Sequence, residues 1–258
     1  MIRIACQTIT WGPEKNRRET AKVMGEVKAA GYAGIEIGAR HLEPERTGDY
    51  GRMLQEKGLA LVALHVGGNF LDRTSVGEQI ANIDRIVGMA SRLGAEFLFV
   101  SGAYKENKTK EDYRFEADTY NKIGMICQNR GLTLCYHNHD WEMAKDLAGW
   151  KALCAYTRKE LVSFVPDVGW MTRAGYDPVP LIQALGDRMA AVHFKEFTAD
   201  HRFTELGAGV VDFPRIYEVF KGREEFWVVT EQDTTEKTPL ESARINREYL
   251  SKLSGEAI

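Results

Sequence analysis

The sequence predicts an α/β fold of the (β/α)₈ TIM-barrel class. Three observations carry this. Eight short apolar runs alternate with longer helical stretches, and their ends recur 27 to 37 residues apart, about the size of one βα unit. The runs are apolar on consecutive positions (LALVAL, EFLFV, FWVVT), the pattern of parallel strands buried on both faces. At 258 residues, the chain also has the length that one such barrel needs, about 250. No linker, low-complexity tract or composition break interrupts residues 1–258, so one domain is expected.

Taken in order, the expected strands are Ile2–Cys6, Gly34–Ile37, Leu59–His65, Ala95–Val100, Leu132–His137, Val162–Asp167, Met189–Phe194 and Phe226–Glu231. Between them, Arg17–Ala30, Gly77–Leu93 and Lys110–Arg130 repeat apolar residues at helical spacing. Each stops at a glycine, Gly31, Gly94 or Gly131, the residue that best accepts the left-handed conformation after a helix. Pro178, Pro214 and Pro239 fall near helix starts, where a missing N–H costs nothing. The rival architecture is an open doubly wound sheet. Eight regular units and the lack of a G-x-G-x-x-G after the first strand favour the barrel.

Composition narrows the function classes. A net charge of −3 argues against a nucleic-acid partner, which would require a basic face. No apolar run approaches the length of a membrane span. Cys6, Cys127, Cys135 and Cys154 show neither redox nor zinc-ribbon spacing and read as free thiols of a reducing compartment. The N-terminus lacks the apolar stretch of a signal peptide. A cytoplasmic protein is therefore expected.

Barrel enzymes carry their chemistry at the C-terminal ends of the strands. There this sequence has His65 after strand three and His137, His139, Asp140 and Glu142 after strand five. It has Asp167 after strand six, His193, Lys195 and Glu196 after strand seven, and Glu231 and Asp233 after strand eight. Carboxylates and imidazoles without thiolates suit one divalent cation: Mn²⁺ first, with Co²⁺, Mg²⁺ or Zn²⁺ as alternatives. One residue from each of strands five to eight gives the expected ligand set Glu142, Asp167, His193 and Glu231. Each position also has a plainer use. Asp167 could cap a helix, His193 could be a bonded core histidine, and Glu142 could be solvated. Glu231 follows FWVVT, where burial without a partner would be costly.

Around that set, His65, His137, His139, Lys195, Trp11, Trp170 and Glu205 are the expected substrate contacts. His41 and His201 are expected to be exposed in loops. Trp11 could cover a sugar ring or cap the core. HRFTELGAGVVDF reads as a loop after strand seven, with Glu205 within it.

YHNHDWE, DVGWMTRAGYDP, VHFKE with ELGAGVVDF, and VVTEQD resemble the xylose-isomerase-like sugar isomerases and epimerases. That superfamily also holds the tagatose and psicose epimerases, hydroxypyruvate isomerase, inosose dehydratase and the apurinic-site endonuclease. The resemblance spans essentially the whole chain. It implies metal ligands in the order Glu, Asp, His, Glu, which fall on Glu142, Asp167, His193 and Glu231. It further implies that Glu142 and Glu231 act as catalytic acid and base on opposite faces of a substrate carbon. There are departures. Trp170 stands where the epimerases often have a histidine, and Ser101 and Gly102 stand where the endonuclease would want a ligand. The stretch ELGAG and strand five lean toward inosose dehydratase. The expected function is a metal-dependent isomerase or epimerase of a small sugar or polyol, working through an enediolate. A lyase of the inosose dehydratase type is the alternative, and a non-catalytic metal or sugar binder is a third reading. A homo-oligomer is compatible with the resemblance.

Overall fold

The computed structural model describes residues 2–255. Eight parallel strands form one sheet: β1 Arg3–Gln7, β2 Gly34–Gly38, β3 Ala60–Gly68, β4 Phe97–Gly102, β5 Thr133–Tyr136, β6 Val162–Phe164, β7 Ala191–Phe194 and β8 Trp227–Thr230. Their spatial order runs from β6 through β5, β4, β3, β2 and β1 to β8 and β7. The ends meet through parallel bridges at Phe164–Met189 and Asp167–His193, so the sheet closes into the barrel. Each expected strand is present, with ends moved by at most three residues.

Two apolar cores follow from strand alternation. Inward-facing residues, among them Ala5, Ala63, Phe99, Cys135, Val165, Ala191, Trp227 and Val229, fill the barrel interior. The alternate residues, such as Ile4, Leu64, Leu98, Leu134, Val192 and Val228, pack with the helices into a larger outer core. This two-sided burial is why the strands read as continuous apolar runs.

The helices Val76–Arg92 and Lys110–Gln128 lie where periodicity put them. Arg17–Ala30 is instead divided between Gly12–Arg18 and Thr20–Ala29, with a non-helical Glu19 between them. Gly31, Gly94 and Gly131 all have positive φ, as a helix stop requires. The segment after β7 is more ordered than a loop. Glu196–Phe197 and Phe203–Thr204 pair as an antiparallel hairpin. Among the described residues no helix is long and apolar enough to cross a membrane.

Candidate metal centre and active site

Extending the inward alternation by one step finds the site. Two residues beyond an inward-facing core position, every strand presents a polar side chain: Gln7, Glu36, His65, Ser101, His137, Asp167, His193 and Glu231. The interior is thus apolar below and polar at its C-terminal mouth. A second step gives Lys195 and Asp233.

Four of these converge. His137, Asp167, His193 and Glu231 are buried and each offers a ligand atom within 4.8 Å of the others. Asp167 does cap a helix, since its side chain accepts from the Trp170 N–H at 2.9 Å, but its Oδ2 remains buried without a hydrogen-bond donor. Nδ1 of His137 is likewise buried and unpartnered. Two imidazoles, two carboxylates and these orphaned polar atoms fit a divalent cation.

Buried charges tie the group together. Lys195 Nζ lies 2.6 Å from Asp233 Oδ2, 3.3 Å from Glu231 Oε2 and 3.5 Å from Asp167 Oδ2. Burial alone would raise Glu231, but the Lys195 ammonium, with His193 and His137, holds it well below the usual carboxylate range. For Asp167 burial wins and pushes the carboxyl up to about 7. His193 contacts Glu231 Oε2 through Nδ1 at 2.9 Å and Glu36 Oε2 through Nε2 at 2.7 Å. The second pair is close but out of line for a hydrogen bond, so it acts as an ion pair. Burial opposes charge on His193, yet the two carboxylates outweigh it and raise the group to about 10. Burial lowers His137 well below its ordinary value and His139 to about 3, which leaves both rings neutral at pH 7.

A cavity opens beside the group, lined by His65, His137, His139, Glu231, Asp233 and Ser101, and also by Gln7, Arg40 and His41. His41 corrects an expectation: it is 6% exposed and faces this cavity instead of solvent. Burial and the charges of Arg40 and Arg17 lower it to about 4.

The remaining expected residues divide. Glu142 stands outside the four-residue group, in the short 3-10 turn Asp140–Glu142 that follows β5. Its Oε1 accepts from the Tyr136 hydroxyl at 2.8 Å and its Oε2 from the His139 N–H at 2.7 Å. Burial raises it to about 7 despite those bonds. His137, five residues earlier and in the inward register that Cys135 begins, occupies the β5 place in the group instead. Trp170 is buried, with the Lys195 ammonium 4.7 Å from its ring. Two residues lie elsewhere. Trp11 is buried and donates from Nε1 to Glu26 Oε2 at 2.6 Å. Glu205 accepts from Thr235 and Lys237 and lines a separate cavity under the hairpin.

Glu36 was not singled out by sequence reasoning. Strand two reads GIEIG, and its inward register was the signal: the glutamate sits between two outward isoleucines. Glu36 is fully buried.

Known proteins resemble this chain in sequence and in fold. Residues 24–253 match the family model described as xylose isomerase-like TIM barrel. An inosose dehydratase from Clostridium beijerinckii is 22% identical, over 94% of this chain and 93% of its own length. Among solved structures, 3-keto-D-glucoside 4-epimerase from E. coli superposes with a TM-score of 0.79 at 18% identity, covering 99% of this chain and 100% of that one. A protein solved with a bound zinc atom superposes with a TM-score of 0.80 at 16% identity, covering 98% of each chain. At these identities the structural likenesses speak for the fold alone.

Proposed function

The chain belongs to the xylose isomerase-like TIM-barrel family, and on that premise we propose that it is a divalent-metal-dependent isomerase or epimerase of a small keto-sugar or keto-polyol. One observation carries the reading: His137, Asp167, His193 and Glu231 converge at the barrel mouth, and Glu231 also lines the adjacent cavity. A zinc atom in a structural neighbour supports a metal here.

When bound, the cation supplies Lewis-acid stabilisation to the charge that develops on substrate oxygen. The chain supplies the proton chemistry. Glu231, held ionised by Lys195, takes the proton from the carbon beside the carbonyl. Glu142, raised to about 7, is protonated for a large part of the time at neutral pH and is assigned the acid on the other side. Two carboxyl groups whose environments push their proton affinities apart make an acid–base pair. His65 and His139 line the cavity and bind substrate hydroxyls, and Trp170 packs behind Lys195.

Dehydration is a second reading, favoured by the inosose dehydratase relative that covers nearly the whole chain. Both reactions begin with the same proton removal. They differ in whether the proton returns or a β-hydroxyl leaves, and the Lys195 ammonium is the donor for that hydroxyl.

The deciding experiment incubates the metal-loaded protein with a 3-keto-sugar or an inosose in D₂O. Deuterium at the carbon beside the carbonyl, with no new ultraviolet absorbance, establishes isomerisation or epimerisation. A growing enone absorbance establishes the lyase. Neither signal with any substrate of either class removes the proposal.

A further inference from the structure

The Glu36 carboxylate divides its two oxygens between two histidines with different duties. Oε2 lies 2.7 Å from His193 Nε2, in the four-residue group. Oε1 lies 2.8 Å from His65 Nδ1, and His65 Nε2 lies 3.0 Å from the Ser101 hydroxyl. His65 and Ser101 line the cavity. The carboxylate reaches both rings because β2 turns Glu36 inward and because the barrel is narrow enough at this layer for β2 to meet β7 across it.

We propose that Glu36 is a positioning residue that locks the metal group and the substrate-facing wall of the cavity to one anchor. An ionised carboxylate only accepts hydrogen bonds. The His65 proton therefore belongs on Nδ1, its Nε2 accepts from the Ser101 hydroxyl, and a Ser101 lone pair faces the cavity. Across the barrel the same carboxylate stands 2.7 Å from His193 Nε2, while His193 Nδ1 is hydrogen-bonded to Glu231 Oε2 at 2.9 Å, so the ring is held between two carboxylates. A carboxylate behind a ligating imidazole fixes the ring's orientation and its tautomer.

This inference rests on the metal-site reading but is separable from it. The first test is on the wild-type protein, ¹⁵N-labelled at histidine, and needs neither metal nor activity. His65 is expected to carry its proton on Nδ1; a spectrum with the His65 proton on Nε2 alone overturns the inference.

The second test compares Glu36→Gln, Glu36→Asp and His193→Ala for Zn²⁺ affinity by equilibrium dialysis. The glutamine keeps the shape but loses the charge. The aspartate keeps the charge but is one methylene too short to reach both rings. Each is expected to lose roughly 10- to 100-fold in affinity, as removal of such outer partners does, and each moves the His65 resonances as well. Loss of affinity in His193→Ala with full affinity in both Glu36 variants refutes the role of Glu36 and leaves the metal site standing. Full affinity in His193→Ala refutes the metal-site reading itself. Should Glu36→Gln fail to fold, Glu36→Asp and the wild-type spectrum still decide.

Discussion

Lys195 Nζ stands 3.3 Å from Glu231 Oε2, with both side chains buried in the mouth of the barrel. His193 is closer to that carboxylate, at 2.9 Å, but the ammonium sits among three carboxylates and has the larger hold on the ionisation of Glu231. In Lys195→Met the largest hold on Glu231 is removed, and only His193 and His137 remain to oppose burial. The proton affinity of Glu231 rises, so the acid limb of the pH–rate profile shifts to higher pH. Turnover should fall about 10²-fold or more, the usual worth of a placed acid–base group. An unshifted acid limb would remove Lys195 from that role.

Metal binding should release protons. His193 at about 10 and Asp167 at about 7 both hold protons in the metal-free protein at neutral pH, and a ligating atom must shed its proton. Affinity is expected to rise with pH from 6 to 8. Calorimetric titrations with Zn²⁺ in buffers of different ionisation enthalpy would count at least one proton released per ion. The linkage signs follow from the same values. His193 is raised above its ordinary 6.5, so it stabilises the metal-free fold fully below 6.5 and ceases to do so above about 10. Asp167 is raised from 3.8, so the fold favours its protonated form and loses stability as pH climbs from about 4 to about 7. A pH-independent affinity would exclude both residues as ligands.

Gly169 lies under Lys195 with no space for a side chain. A Cβ there would meet the Lys195 carbonyl oxygen at 2.3 Å, backbone that cannot rotate aside. Gly169→Ala should cost about 1–3 kcal/mol, as overpacking does. It should also weaken Zn²⁺ binding, because Asp167 and Lys195 are pushed apart. Urea denaturation and dialysis measure the two effects. A stable variant with intact binding would show that the Asp167–Lys195 spacing is not demanded by the site.

Trp227 provides the contrast. It fills the opposite end of the barrel, with the Arg3 guanidinium 3.8 Å from its ring and its Nε1 donating to Glu96 at 2.9 Å. Residues at that end serve stability rather than catalysis. Trp227→Ala should lose about 3–5 kcal/mol, yet bind Zn²⁺ as the parent does at temperatures where it is folded. Loss of metal affinity in the folded variant would contradict this division.

Much of the architecture was legible because it is repetitive. Eight runs buried on both faces, separated by helical stretches of which three stop at Gly31, Gly94 and Gly131, leave few topologies open, and closure at Phe164–Met189 and Asp167–His193 adds only the final seam. Asp167, His193 and Glu231 were visible because each follows its apolar run in strand register. Glu36 was passed over for the opposite reason: a lone glutamate inside GIEIG looks like a strand residue until the strand is known to face a barrel interior.

The sequence by itself determined the repeat, the polar rim and the metal-suited residue types, since these depend on local pattern and composition. Only the tertiary structure decided which rim residues meet. His137 joins the four-residue group while Glu142 bonds to Tyr136, because strand alternation carries one side chain inward and the following turn carries the other aside. Glu36 reaches His193 from five strand positions away around the barrel's sequence order, a contact made across the lumen that no spacing along the chain encodes. Distances across a closed barrel are set by its diameter and strand stagger, and those belong to the folded sheet as a whole.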